Sequence, residues 1–391
     1  MDQNQTASGT APKPSLKLPA RIVFLAAICL FSFISAVNPL GFLGLPLAIL
    51  AAGMNIVLAL GCTNDRGWLL CQLAFNLIPF AAAAIYMSST ALALTALFPL
   101  MLGMPVWLTV CTGKSRAVSI TAAAICSFLL FAAYFALAIT AEYGACNAQT
   151  VEAMLDEAFV PVKEMLSELT YAYEGEEIAY FNDTDLDNIM YSVKSLMFGV
   201  LASIMLCAGY FATLAARLIA NTFGLGELLP CGMRISIRVT VEENRPVVNI
   251  GREMVQWRLE IDSITAWVYI ASYILTVLFG SASETLIFCS VMQNMLVILS
   301  PGFFYCGVRD IVLGFSGKAS CGRISRAALI FGIILFFINP MTMLLLLCVM
   351  GVTVVLRENK LRRDALRQSE AGGDADPDDS APGGFNSNGK E

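Results

Sequence analysis

Long uncharged apolar runs constrain this chain more than any other feature. Residues 22–64 contain no charged side chain, and residues 67–113 are again uncharged. A helix of about 20 residues crosses the hydrocarbon core of a bilayer, so each run has room for two membrane spans. The turns between the spans are expected near Asn38–Gly41 in the first run and near Ser88-Ser89 in the second. Backbone groups in hydrocarbon have to be hydrogen bonded within the segment, so the spans are expected to be helices. A composition of 57% hydrophobic and 14% charged residues excludes an ordinary soluble globular protein.

The runs predict an all-α, polytopic integral membrane helical bundle of about nine or ten membrane segments. A small cytoplasmic β-hairpin is expected as an insert. The predicted organisation consists, in chain order, of a disordered cytoplasmic tail (1–20), a five-span membrane bundle (21–141), an acidic extracytoplasmic helical loop (142–194), a sixth span (195–222), a cytoplasmic loop with the β-hairpin (223–262), C-terminal membrane segments (263–356) and a disordered cytoplasmic tail (357–391).

The charges predict the sidedness of the loops, because Lys and Arg are enriched in cytoplasmic loops. Residues 142–194 carry many carboxylates against only Lys163 and Lys194. This loop is therefore expected outside the cytoplasm, with both termini inside, in the cell (plasma) membrane. Apolar residues recur at helical spacing from Val151 to Leu169, and Pro161 predicts that this stretch is split into two short amphipathic helices.

Alternating residues predict the hairpin in the arginine-rich loop 223–262. Arg234–Val241 alternates at period two, and Val247–Ile250 follows a turn around Glu243–Pro246. The arginines of this loop place it in the cytoplasm.

The last apolar run, residues 327–356, conflicts with the charge rule if it crosses the membrane once. A single crossing would carry Arg357 and the basic residues after it to the outside. Asn339 and Pro340 lie near the middle of the run. The preferred interpretation is a broken hairpin that re-enters the inner face, and a single crossing is the alternative.

No residue pattern typical of catalysis is present. The chain has no histidine, and its twelve cysteines form no CxxC pair, so His-based acid–base catalysis and the usual zinc sites are excluded. The sequence also lacks a nucleotide-binding loop and a basic stripe. We therefore expect no enzyme activity, no metal, no cofactor and no nucleic-acid partner.

Amide side chains inside the apolar runs are the candidate binding residues. Gln72 and Asn76 are spaced i, i+4 on one helix face, and Gln293 and Asn294 lie in the middle of a later span. Amides in hydrocarbon need partners, so these side chains are expected to face the bundle interior. They predict a ligand pocket beneath the acidic outer loop, whereas hydrogen bonding between helices is the plainer alternative.

The run Met292–Leu299, followed by Gly302–Tyr305, resembles the corresponding helix of the YybS-like family of uncharacterised multi-pass bacterial membrane proteins. The order of parts is also similar, and the cytoplasmic loop contains the Trp257-Arg258 pair that the family carries. The first six spans of that family look like the substrate-binding components of energy-coupling-factor transporters. The resemblance implies a small ligand within a six-helix bundle and a separate ATPase or transmembrane coupling module as partner, with Trp257 and Arg258 as candidate contacts.

Two functions are compatible with these features. The first is a small-molecule-binding or permease component in the lipid bilayer, whose ligand the sequence does not identify. The alternative is a non-transporting membrane scaffold or regulator, which would recruit a cytoplasmic partner through Arg234–Arg258 and the C-terminal tail.

Overall fold

The structure is a computed structural model of the chain and describes most of its residues. The described ranges are 16–38, 43–62, 65–112, 114–168, 170–173, 176–179, 181–223, 232–242, 245–255, 259–279, 286–315 and 340–371. Helices dominate these ranges, and eight of them are long and apolar enough to cross a membrane. The chain is therefore a multi-pass helical membrane protein.

The helices and strands have the following bounds. The helices are α1 (Leu18–Val37), α2 (Gly44–Gly61), α3 (Arg66–Met87), α4 (Thr90–Ala93), a 3-10 turn (Leu94–Leu97), α5 (Phe98–Cys111), α6 (Arg116–Tyr143), α7 (Ala148–Ser167), α8 (Asp183–Thr222), α9 (Ser263–Phe279), α10 (Leu286–Phe315) and α11 (Pro340–Ala371). The strands are β1 (Thr170–Tyr173), β2 (Glu176–Ala179), β3 (Gly232–Glu242) and β4 (Arg245–Val255).

The candidate membrane spans are α1, α2, α3, the stretch from α4 through α5, α6, α8, α10 and α11. Helix α9 is apolar but has only 17 residues. The predicted total of about nine or ten segments stays a prediction, because residues 316–339 lie outside the described ranges.

Local side-chain caps explain where several helices begin. The Asp65 side chain accepts a hydrogen bond from the backbone N–H of Trp68, and Ser115 accepts one from Val118 in the same way. Between α3 and α4, Ser88 has a φ of 51°, and Ser89 caps α4. Such caps satisfy the free N–H groups of a first turn. The sequence-based turn at Ser88-Ser89 is confirmed, whereas the one expected at Asn38–Gly41 lies largely outside the described residues.

The described residues fall into two compact units. Unit 1 comprises Met1–Glu260 and Ser272–Ile298, and unit 2 comprises Ile261–Ala271 and Leu299–Glu391. In unit 1, α2 packs against α1, α5 and α8, while α6 packs against α5 and α8. Its core includes the fully buried Ile28, Ile56 and Leu102 together with a row of alanines on α8. Small residues of this kind let membrane helices approach closely.

Helix α8 begins well before the predicted sixth span. It has 40 residues, and its start is fixed by a reciprocal cap in which Asn182 and Asp185 bond to each other's backbone N–H groups. At 1.5 Å per residue the helix is about 60 Å long, against a hydrocarbon core of about 30 Å. The predicted boundary between residues 194 and 195 therefore lies inside one continuous helix.

Helix α7 lies beside the first turns of α8. Lys163 pairs with Asp187 at 2.6 Å, and Lys194 pairs with Asp156. The two lysines of the acidic loop thus both link α7 to α8. The predicted split at Pro161 is wrong, because α7 is one helix of 20 residues with Pro161 inside it. A proline removes one backbone hydrogen bond and can be accommodated where the turns on either side continue the helix.

The described residues include two antiparallel β-ladders, β1–β2 between α7 and α8 and β3–β4 between α8 and α9. β3 and β4 pair along eleven positions, from Gly232 opposite Val255 to Glu242 opposite Arg245. The position of this ladder as a cytoplasmic insert stays a prediction. β1 and β2 form a shorter ladder within the acidic loop, which the helical periodicity of that loop did not indicate.

In unit 2, α10 and α11 run in the same direction. The Cys348 thiol contacts the Ser300 carbonyl at 3.7 Å, and nine residues farther along α10 and ten farther along α11, Arg309 pairs with Glu358 at 2.5 Å. A Cβ atom on Gly351 would overlap the Phe303 carbonyl, so glycine is required at this close crossing.

The predicted tail at 357–391 is wrong over its first part, because α11 continues to Ala371. Glu358 and Asn359 explain the continuation, since both side chains have partners within unit 2. Asn359 donates a hydrogen bond to the Ile261 carbonyl at 3.0 Å, next to the start of α9. The C-terminal half of α11 therefore lies at the end of unit 2 where α9 begins.

This arrangement predicts the side of the membrane on which α11 ends. With the exposed native cysteines replaced by serine, we expect Arg363→Cys and Asp262→Cys to react with a membrane-impermeant maleimide from the same side of sealed vesicles. Glu152→Cys on α7 serves as the control and is expected to react from the opposite side. Labelling of Arg363→Cys and Asp262→Cys from opposite sides would contradict the parallel arrangement.

Candidate ligand cavities and buried amides

Unit 1 contains an apolar cavity, here called cavity A, with a volume of about 140 Å³. Five helices and the 3-10 turn contribute to its wall. The lining residues are Ser35, Leu45, Ala48, Leu94, Thr95, Phe98, Leu130, Phe131, Tyr134, Ile204 and Met205. None of them is charged.

Cavity A lies toward the end of unit 1 that carries α7. Ser35 is two residues from the end of α1, and Leu45 is the second residue of α2. Leu94 begins the turn that follows α4, shortly after the connection from α3. Successive spans reverse direction, so these helix ends meet at the same side as the end of α6 and the beginning of α7.

Aromatic rings and hydroxyls give cavity A its chemical character. Phe131 packs on Tyr134 and Phe135, with ring centroids 5.7 and 4.8 Å apart. The Thr95 hydroxyl donates to the Leu92 carbonyl at 2.6 Å and keeps its capacity to accept a hydrogen bond. Apolar walls with a few polar groups are typical of small-molecule sites.

A second apolar cleft, here called cavity B, adjoins cavity A and has a volume of about 340 Å³. It lies between α2, α8 and the first half of α10. Its lining residues are Leu45, Ile49, Val200, Ser203, Ile204, Cys207, Ala208, Phe211 and Val297. Leu45 and Ile204 line both cavities.

The predicted pair Gln72 and Asn76 forms a buried network with Asn55 of α2. Gln72 Nε2 donates to the Asn55 side-chain and backbone oxygens at 2.9 and 2.8 Å. Asn76 Nδ2 donates to Asn55 Oδ1 at 2.9 Å, and Asn55 Nδ2 donates to Asn76 Oδ1 at 3.0 Å. All three side chains are no more than 1% exposed. Asn55 was not predicted from the sequence, although an amide in the middle of an uncharged run is the same signal that identified its partners.

The network anchors one face of α3, which also packs on α1 and has an apolar, exposed outer face. Leu70 and Ile85, for example, are 67% and 83% exposed, so these side chains would contact lipid in a membrane. Gln72 Oε1 is buried without a hydrogen-bond partner among the described residues. Buried amides of this kind contribute hydrogen bonds between membrane helices.

Asn294 binds the backbone of α8. Its Nδ2 donates to the Ser195 carbonyl at 2.6 Å, and its Oδ1 accepts from the Gly199 N–H at 2.5 Å. In a regular helix the Ser195 carbonyl accepts a hydrogen bond from the Gly199 N–H. The Asn294 carboxamide therefore bonds to both members of one i, i+4 backbone pair of α8. A Cβ atom on residue 199 would lie 2.6 Å from Asn294 Oδ1. Glycine is therefore required for this contact, here called the Asn294 clamp.

The two predicted amide pairs have different partners in the described structure, and neither pair lines cavity A or cavity B. Gln293 is half-buried beside Asn294. Trp257 and Arg258, the predicted partner contacts, lie outside the described residues. A ligand-binding role for the four amides stays a prediction, as does the partner contact.

No protein-family model, no curated protein and no solved structure matches this chain. The resemblance to the YybS-like family therefore also stays a prediction. Within the described ranges, no group of three or more cysteine, aspartate or glutamate side chains could hold a metal ion.

The amide network predicts an asymmetry between single and combined substitutions. Asn55→Leu removes the side-chain acceptor of Gln72 Nε2 and Asn76 Nδ2 and the donor of Asn76 Oδ1. We expect the free energy of unfolding to fall by about 1–3 kcal/mol. The triple variant with leucine at 55, 72 and 76 leaves none of the three positions with an unpaired polar side chain. Its free energy of unfolding is expected to fall by less than that of Asn55→Leu. Thermal unfolding in detergent measures both. An unchanged midpoint for Asn55→Leu would contradict the network.

The Asn294 clamp predicts that Gly199→Ala displaces α10 from α8. Overpacking at such a contact is expected to cost about 1–3 kcal/mol, measured as a lower unfolding midpoint. Gly67→Ala is the matched control, since its added Cβ would meet its nearest atom at an ordinary 3.5 Å. Equal midpoints for the two variants would show that the close approach is absent.

Proposed function

We propose that this chain is a small-molecule-binding or permease component of the membrane, with cavity A as its ligand site. The observation that carries the proposal is a cavity between spanning helices of one unit, whose described lining is uncharged and partly aromatic. Cavities of this type are the default binding sites of helical bundles.

The size of cavity A limits what it can hold. Its volume of about 140 Å³ is close to that of apolar cavities of about 150 Å³ that take up benzene. A ring of this size, or a short stretch of alkyl chain, therefore fits inside. A larger ligand would place only one part of itself in the cavity.

The charge of the lining limits the ligand further. An unpaired charge in a low-dielectric cavity is strongly disfavoured, and the described residues that line cavity A include no charged side chain to pair with it. The part of the ligand in the cavity is therefore neutral. Ser35, Thr95 and Tyr134 supply hydroxyl groups for one polar atom of the ligand.

Movement of a ligand against a gradient would require a separate energy source, because the sequence contains no nucleotide-binding loop. A separate ATPase or coupling module fits this requirement, with Trp257 and Arg258 as candidate contacts. The alternative function is a membrane scaffold. The long β3–β4 ladder favours it, because a ladder of eleven paired positions offers a surface for a cytoplasmic partner.

The test is mild purification from the native membrane with mass spectrometry of co-purifying small molecules and proteins. We expect a small apolar molecule to co-purify with the wild type. We expect Ala48→Phe, which fills cavity A, to retain at least ten-fold less of it. Ala48 is 1% exposed, whereas Leu50 on the same helix is 39% exposed and lines neither cavity, so Leu50→Phe is the control.

Two other outcomes separate the hypotheses. Equal ligand content in Ala48→Phe and the wild type would remove cavity A as the site. A stoichiometric protein partner without any small molecule would favour the scaffold. Ala48→Leu, which fills less of the cavity, repeats the test if the phenylalanine variant does not elute as a folded protein.

A further inference from the structure

The two cavities of unit 1 meet at one pair of side chains. Leu45 of α2 and Ile204 of α8 belong to the wall of both. A molecule that occupies cavity B therefore contacts the same two side chains that border cavity A. Leu45 and Ile204 therefore lie at the junction of the two cavities.

Cavity B is open on the outside of the helices. Val200, Ile204 and Phe211 of α8 are 46%, 46% and 49% exposed, and Leu45 is 42% exposed. These positions lie on helices long and apolar enough to cross a membrane, so hydrocarbon is what surrounds them. Among the described lining residues, the polar side chains are Ser203 and Cys207, and neither carries a charge. The opening therefore faces lipid.

The opening lies in the half of the membrane next to α7. Leu45 and Ile49 occupy the first two turns of α2, and cavity A lies at the same end of unit 1. In the predicted orientation this half is the outer leaflet.

The Asn294 clamp fixes one side of the opening. Val297 follows Asn294 by about one helical turn, and Val200 directly follows Gly199. Both valines line cavity B. The hydrogen bonds of Asn294 to the α8 backbone therefore hold the α10 wall at a set distance from the α8 wall.

We propose that cavity B is a lateral entrance from the bilayer to cavity A, used by a single-chain amphiphile dissolved in the membrane. The inference rests on the proposed ligand-binding function of cavity A. The ligand's alkyl chain passes Ile204 and ends in cavity A, whose small volume admits one slender chain. Its polar head stays at the membrane surface near the start of α2.

The test uses the full-length protein in liposomes and palmitic acid that carries a diazirine at the end of its chain. After irradiation, labelled residues are mapped by mass spectrometry. In the wild type we expect labels on α6 at Leu130–Tyr134, which belongs to cavity A alone, and on α8 at Val200–Phe211.

Ile204→Trp fills the junction between the cavities. We expect it to lower α6 labelling at least five-fold while labelling of α8 and of Val297 persists. Leu218→Trp is the matched control, because Leu218 lies on the same helix, is 61% exposed and lines neither cavity. It is expected to label as the wild type does.

The outcomes distinguish the route from the function. Undiminished α6 labelling in Ile204→Trp overturns the lateral entrance and leaves cavity A as a binding site. No α6 labelling of the wild type, in liposomes or in detergent micelles, overturns both. If Ile204→Trp does not elute as a folded protein, Leu45→Trp blocks the junction from α2 and is judged by the same criteria.

Discussion

Inside a bilayer, water is not available to satisfy polar groups, so each amide in a span has to find its partner in the protein. Asn55 illustrates this requirement, because it binds two side chains of α3 and leaves that helix with an apolar outer surface. Asn294 illustrates it differently, because its partners are backbone groups of α8. The contacts of α3 with α2 and of α10 with α8 both depend on these few side chains.

Much of the fold follows from patterns that the sequence displays locally. Uncharged runs predicted the spans, and Ser88-Ser89 predicted a turn that the structure contains. The start of α8 was misplaced because hydropathy marks the membrane boundary, whereas the helix start depends on the polar cap at Asn182. Pro161 and the charged residues after Leu356 were misjudged for a related reason. Neither a proline nor a charged stretch ends a helix when neighbouring turns or partners such as Ile261 support it.

The candidate site was less accessible to sequence analysis than the fold. Gln72 and Asn76 stand out as amides in hydrocarbon, and the structure shows that they do find polar partners. Cavities A and B have no such signal, because leucine, isoleucine and phenylalanine lining an empty space look the same in a sequence as those filling a core. A void depends on how side chains from distant segments fit together, and the segments around cavity A are up to 170 positions apart, from Ser35 to Met205.

The length of α8 has a mechanical consequence. Gly199, where Asn294 binds the backbone of α8, lies 16 residues from the first residue of α8. The helix therefore extends about 24 Å beyond this contact. Pivoting by about 10° at this point would swing the far tip of the rod by about 4 Å. The ion pair of Lys163 with Asp187 ties α7 to α8 near that tip, and the pair of Lys194 with Asp156 ties it five residues before Gly199, so α7 would travel with this part of α8. A small rotation of α8 next to cavity B would thus produce a larger displacement of α7 outside the membrane. Conversely, a force applied to α7 would be transmitted through α8 to the wall of cavity B.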